Sequence, residues 1–252
     1  MTTPTPVPAA EPPGDAPTRP RVIGMLGGMS WESTAEYYRL ANELVRERLG
    51  GLHSARLVLA SVDFAEIERL QVAGEWNRAG RLLADEAARL EAAGAELLVL
   101  CTNTMHKVAD QVQAAVSIPF LHLADATADA VRAAGMTTVG LLATGFTMEQ
   151  AFYRDRLAGH GLTALVPDAG DRAEVHRIIY EELCVGVIRE ESRRLYRQVI
   201  ERLVAAGAQG IVLGCTEIEL LIGASDSPVP VFPTARLHVA AAVEASLAGV
   251  RG

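Results

Sequence analysis

From Arg21 onward, short apolar runs alternate with longer stretches whose apolar residues recur every three or four positions. The short runs predict buried strands over 22–26, 57–62, 97–101, 138–142, 162–166, 210–213 and 229–232. The longer stretches predict amphipathic helices over 31–49, 76–93, 104–116, 124–134, 148–158, 172–182, 190–206 and 234–247. Strands alternating with helices of this length build βαβ units, so the fold class is α/β with mainly parallel sheets. In such sheets, sites gather where strands end and helices begin.

Two internal echoes divide this pattern in half. Ala93-Gly-Ala-Glu-Leu-Leu-Val-Leu-Cys-Thr-Asn-Thr104 aligns with Ala206-Gly-Ala-Gln-Gly-Ile-Val-Leu-Gly-Cys-Thr-Glu217 at an offset of 113 residues. Gly24-Met-Leu-Gly-Gly28 aligns with Gly140-Leu-Leu-Ala-Thr144 at an offset of 116. Two echoes in the same order at nearly one offset predict a duplication with two pseudo-symmetric halves. The alignment sets Thr102, not Cys101, opposite Cys215. Successive strand side chains point to opposite faces, so Cys101 is expected to turn into the core where Thr102 faces the site.

Composition narrows the chemistry. The chain has 252 residues, a net charge of −8 and a single lysine, Lys107, so pyridoxal chemistry would have to use that one amine. An acidic chain without clustered arginines argues against a nucleic-acid partner. No apolar run approaches the roughly 20 residues of a membrane-spanning helix. Three scattered cysteines, Cys101, Cys184 and Cys215, form neither a disulfide framework nor a zinc pattern. They fit a reducing, cytoplasmic setting. Histidines and carboxylates show no metal-ligand spacing, so no metal is expected. The first twenty residues hold seven of the twelve prolines and predict a disordered extension, taken as 1–21, without the apolar centre of a secretion signal.

Strand-end turns in two facing halves suit a reaction with two faces. Racemisation is one: a base removes the α-proton from one side and an opposed acid supplies one to the other. Cys215, in a Gly-Cys-Thr-Glu turn at a helix start, is the candidate base, since a thiolate is favoured near helix N-termini. Thr102 reads either as a turn or cap hydrogen bond, for which Asn103 and Thr104 compete, or as the opposing proton donor. Thr144 and Thr147, with Asn103, Thr104 and backbone amides, could hold a carboxylate. Gly27 and Gly28 could let backbone N–H groups approach an anion. His106 either tunes the site or packs at its helix start, and Cys184 reads as packing.

The motifs Gly27-Gly-Met-Ser-Trp-Glu-Ser-Thr34, Ser61-Val-Asp-Phe-Ala-Glu-Ile67, Cys101-Thr-Asn-Thr-Met-His-Lys107 and Gly214-Cys-Thr-Glu-Ile218 together resemble the aspartate/glutamate racemase family, closest to its bacterial broad-specificity amino-acid racemases. The resemblance implies two pseudo-symmetric α/β domains, 22–121 plus 229–252 and 122–228, with the site in the cleft between them. It implies a cofactor-independent isomerase, a cytoplasmic homodimer with an amino acid as its small-molecule partner, and two-base proton transfer through Thr102 and Cys215. Its substrate contacts fall on Met29, Gln71, Asn103, Thr104, Thr216 and Glu217. Threonine stands at the first catalytic position, where the two-cysteine members carry cysteine. No lysine lies in 181–189 to hold a side-chain carboxylate, which leaves room for neutral substrates. Similar folds also carry hydantoin racemases, maleate isomerases and arylmalonate decarboxylases, and a non-catalytic amino-acid-binding protein is the remaining alternative.

Overall fold

The computed structural model describes residues 19–248 and Val250. Most of the expected Pro-rich extension lies outside them. Its last residues are tied down: the Arg19 guanidinium pairs with Glu96 at 3.1 Å, and the Arg21 N–H donates to the Ser246 carbonyl at 2.9 Å.

The first sheet is built from β1 (Ile23–Gly27), β2 (Leu57–Ser61), β3 (Leu97–Leu100) and β4 (Phe120–Leu121), in the order β2-β1-β3-β4. The helices α1 (Trp31–Leu49), α2 (Phe64–Val72), α3 (Trp76–Ala92) and α4 (Ala109–Ala114) flank it. The segment α5 (Leu123–Ala133) follows. The second sheet holds β5 (Thr138–Ala143), β6 (Thr163–Leu165), β7 (Gly210–Gly214) and β8 (Val231–Pro233), in the order β6-β5-β7-β8. Around it lie α6 (Gly145–Glu149), α7 (Ala151–Gly159), α8 (Ala169–Glu181), α9 (Glu190–Ala205) and α10 (Ile218–Leu221), and α11 (Thr234–Leu247) ends the fold. All pairings are parallel.

The duplication is written into the strand register. Ile23 pairs with Leu97 in the first sheet, as Val139 pairs with Gly210 in the second. These positions are related by the same two offsets that relate the sequence echoes. Both central strands of each sheet are buried along nearly their whole length, which is why they read as continuous apolar runs.

The helices that follow the edge strands β4 and β8 exchange places, while the strands stay in their own sheets. From α5, Leu123, Ala124, Ala128 and Val131 join the core of the second sheet. From α11, Ala235, Val239, Ala242 and Val243 join the core around β1, β3 and α1. The strand β8 pairs with β7, so within 229–252 the strand belongs to the second sheet and the helix packs on the first. Among the described residues no helix is long and apolar enough to cross a membrane.

Three imidazoles meet where the chain crosses between lobes. The His106 ring centroid lies 4.5 Å from that of His122 and 5.8 Å from that of His238. Burial holds His122 and His238 down to about 4, and His106 well below the ordinary imidazole value. The unfolded chain therefore takes up protons below about pH 6.5 that the folded chain refuses. Stability falls as pH drops from there toward 4, by about 3 kcal/mol for His238 and less for the partly exposed His122, with His106 acting in the same direction. Glu219, raised by burial to about 7, works in the opposite direction over the same window. One carboxyl opposes three imidazoles, so the net slope keeps its sign. Melting temperature measured from pH 7 to 4.5 is expected to fall steadily, and a flat profile would contradict neutral burial of the cluster.

Candidate active site

The C-terminal ends of β3 and β7 open into one small cavity between the lobes. Its wall includes Met29, Gln71, Thr102, Asn103, Thr104, Thr144, Cys215, Thr216 and Glu217, so nine of the ten expected site residues are brought together. Thr147 is the exception. It is fully buried behind the wall, where its hydroxyl reaches those of Thr104 and Thr144 at 3.3 Å. The turn pattern predicts that Thr147 helps hold a carboxylate, but the first turn of α6 rotates it inward, away from the cavity.

The strand alternation has the expected result at the adjacent pair. Cys101 is completely buried with Tyr37, Leu97 and Val239, while Thr102 lines the cavity. Burial pushes the Cys101 thiol far above its ordinary value. Cys184, read as packing, does pack against the core of the second sheet, and it also reaches the cavity wall. The helix α8 ends at Glu181, and a single 3-10 turn, Leu183–Val185, swings Cys184 toward the cleft. Its thiol is pushed up to about 12 by burial.

The expected role of Gly27 and Gly28 does not hold. Neither lines the cavity. The Gly28 N–H donates to the Thr34 hydroxyl at 2.8 Å, so it is not free for an anion. Gly28 has φ +89°, and a Cβ there would lie 2.3 Å from the Val62 carbonyl oxygen. Close approach of β1 to β2 explains this glycine.

Hydrogen bonds close the cleft from both lobes. The Ser30 hydroxyl donates to Glu217 Oε1 at 2.7 Å, and the Ser33 and Thr216 hydroxyls meet at 2.7 Å. The Thr104 and Thr144 hydroxyls meet at 3.1 Å. On the other side, the rings of Trp76 and Phe146 make an edge contact at 5.9 Å, with Lys107 Nζ 3.9 Å above Trp76. Lys107 is thus outside the cavity wall. The enclosed space is about 30 Å³, room for one water.

The chemistry in the wall is unequal on its two sides. The Cys215 thiol donates to Glu217 Oε2 at 2.8 Å. Burial, and then the negative charge of Glu217, push that thiol well above its ordinary value. The resting site therefore holds a protonated thiol bonded to a carboxylate, not a thiolate. Glu217 is the one carboxylate in the described wall, and no arginine or lysine lines it. Two acceptor oxygens, Gln71 Oε1 and Asn103 Oδ1, are buried without a partner among the described residues. Their amide nitrogens are engaged, Gln71 with Met105 Sδ and Asn103 with the Thr234 hydroxyl. Unpartnered buried acceptors are costly and expect a donor. The sequence reading did not find Ser30, Ser33, Phe64, Ile179, Tyr180 or Cys184, which also line the cavity. No group among the described residues forms a metal cluster.

Duplicated parallel lobes with a thiol, a carboxylate and a hydroxyl-rich wall in the cleft define a two-lobed α/β protein with a polar cavity between its halves. The chain belongs to the Asp/Glu/hydantoin racemase family, whose profile matches residues 26–242. A solved structure of a candidate Asp/Glu racemase from Yersinia pestis is 55% identical, with TM-score 0.85, and the match covers 90% of this chain and 99% of that one. An aspartate racemase homologue from Pyrococcus horikoshii is 34% identical, with TM-score 0.80 over the same shares. A broad-specificity amino-acid racemase of Bacillus subtilis is 23% identical over 67% of this chain and 72% of its own length.

Proposed function

We propose that this protein racemises amino acids without pyridoxal phosphate, with Cys215 and Thr102 working on opposite faces of Cα. The observation that carries the reading is positional. These two residues follow equivalent strands of a duplicated fold, and both line the same cavity between the lobes. Family membership supports it.

An α-proton is weakly acidic, so its removal needs a strong base and stabilisation of the charge that grows on the carboxylate. In the proposed cycle the thiol proton passes to Glu217 along the existing hydrogen bond. The thiolate then takes the α-proton, and the Thr102 hydroxyl delivers its own proton to the opposite face. Solvent closes the balance: Glu217 releases the proton it took, and the Thr102 oxygen takes one up. The substrate ammonium answers the orphaned acceptors Gln71 Oε1 and Asn103 Oδ1. The hydroxyls of Thr104 and Thr144, which otherwise bond each other, accommodate the α-carboxylate. Met29, Thr216 and the buried Thr147 shape and brace this wall.

Thr102 has no acidic or basic side chain bonded to its hydroxyl among the described residues. It is therefore a better donor than acceptor. Free enantiomers have equal free energies, so kcat/KM must match in the two directions. The asymmetry shows as a higher kcat and a higher KM for the enantiomer that Cys215 deprotonates. The wall has no cation for a second carboxylate and already carries Glu217, which favours neutral polar amino acids over aspartate.

The test is Cα-proton exchange in heavy water, followed by NMR without added pyridoxal phosphate, with chiral separation of products across an amino-acid panel. Exchange with inversion is expected. Neutral polar substrates should exceed aspartate in kcat/KM by about tenfold, the cost of one unpaired carboxylate. Absence of exchange with every amino acid, or an absolute need for pyridoxal phosphate, would overturn the reading. The homodimer and cytoplasmic setting belong to the same proposal, and sedimentation of the purified chain tests the first.

A further inference from the structure

His106 sits in the motif that carries Thr102, yet its side chain takes no part in the cavity wall. The 3-10 turn Thr104–Val108 aims it the other way, and it is 3% exposed. Its two ring nitrogens meet two different parts of the fold. Nδ1–H donates to the Thr102 carbonyl at 2.7 Å. Nε2 accepts from the main-chain N–H of Leu123 at 3.1 Å. The first partner is the peptide of the residue proposed to work one face of Cα. The second is the first residue of α5, where the chain has just crossed into the other lobe.

Main-chain partners fix the tautomer. A carbonyl can only accept and an amide N–H can only donate, so the ring is neutral with its proton on Nδ1. The same crossover is gripped from the far side. His238 Nε2–H donates to the Leu121 carbonyl at 2.7 Å, and its Nδ1 accepts from the Tyr37 hydroxyl at 3.0 Å. The crossover is thus clamped at Leu121 and Leu123. Only the His106 side of the clamp continues to the cavity.

We propose that His106 is a positioning residue for Thr102, a rigid strut that sets the Thr102 turn against the interlobe crossover. It places the hydroxyl when the lobes close on substrate. The inference rests on the reading of Thr102 as one of the two proton-transfer groups. Cys215 is attached to the other sheet and has its own partner in Glu217, so the strut serves one face of Cα only. Sub-ångström placement of a proton donor governs its rate steeply.

The experiment compares the wild-type chain with His106→Phe, which keeps a ring but neither bond, and His106→Gln, whose amide can donate and accept. Cα exchange and inversion are followed from each enantiomer separately. His106→Phe is expected to lower kcat for inversion about tenfold with KM changed less than about twofold. Exchange without inversion, from the enantiomer whose proton faces Cys215, should persist within about threefold, because that face is untouched. His106→Gln should recover most of the inversion rate. If the phenylalanine variant does not fold, His106→Asn, polar but too short to span both partners, is expected to show the same one-sided loss. Equal loss of Cα-proton exchange from both enantiomers, a rise in KM without a fall in kcat, or unchanged inversion would overturn the strut. A wild-type chain that exchanges no amino acid would instead sink the racemase reading. The strut then stands or falls on the imidazole ¹⁵N spectrum of His106. A protonated Nδ1 with an unprotonated Nε2 at pH 7 supports it, and the opposite tautomer or a charged ring overturns it.

Discussion

Cys215→Ala is expected to lower racemisation about 1,000-fold or more in both directions, the scale on which losing a positioned acid–base group acts. Alanine can neither take the α-proton from one enantiomer nor return one to the other. The loss should fall on kcat, since the wall formed by Gln71, Asn103 and Thr104 is unchanged. Cys101→Ala is the decisive companion, because the two cysteines are easily confused when read along the chain. Cys101 is wholly inside the core around β1, β3 and α11, and its thiol is held far from ionisation by burial. Its removal should cost about 1 kcal/mol of stability, as for a small core truncation. It should leave kcat within about threefold, because no reacting group is removed. Steady-state rates and melting temperatures for both variants separate the outcomes. Comparable loss in both would place the group opposite Cys215 at Cys101, one residue before the Thr102 that the duplication selects.

Much of this was legible in the sequence because the central strands are buried on both faces and so read as unbroken apolar runs. The duplication then supplied the pairing of Thr102 with Cys215 through register alone. The missing parts share physical causes. The edge strand β4 has only two residues, too short for any periodic signal. The helix α2 follows directly on a strand turn, and its first four residues lie inside the Ser61–Ile67 motif, although it is the element that delivers Gln71 to the wall. The run expected as one helix over 148–158 breaks at Gln150, whose extended backbone separates α6 from α7. That break belongs to the same turn that buries Thr147. Ser30 caps α1 and Ser33 lies in its first turn. Their bonds to Glu217 and Thr216 span more than 180 residues, and only the approach of the two lobes creates them. Local grammar shows what a side chain can do, whereas contacts between lobes depend on how both halves are set.

Glu217→Gln is expected to move two measurements in opposite directions. Glu217 accepts hydrogen bonds from the Cys215 thiol and the Ser30 hydroxyl, and its charge is second only to burial in holding the thiol protonated. Removing that charge favours the thiolate, so the ionisation of Cys215 shifts to lower pH. Alkylation by iodoacetamide at pH 8 should therefore quicken, with Cys184→Ala as background to remove the other cavity thiol. Racemisation should nevertheless fall about 100-fold, because glutamine cannot take up the proton that the thiol must release inside a closed cleft. A reactive cysteine in a slow enzyme would distinguish proton acceptance from simple electrostatic suppression. If alkylation and racemisation both rise, the carboxylate only restrains the thiol, and the proton leaves by another route. If both fall, the hydrogen bond chiefly orients Sγ, and the amide fails to hold it. The predicted crossing of the two rates follows from one geometric fact. The same oxygen that disfavours the thiolate at rest lies 2.8 Å from the sulfur, where it can receive the proton once substrate is enclosed. The ammonium group of a bound amino acid adds a positive charge to a wall that has none from lysine or arginine. Substrate binding would then relieve part of the repulsion that keeps Cys215 protonated. The thiolate is formed when there is an α-proton to remove and is suppressed when the cleft is empty.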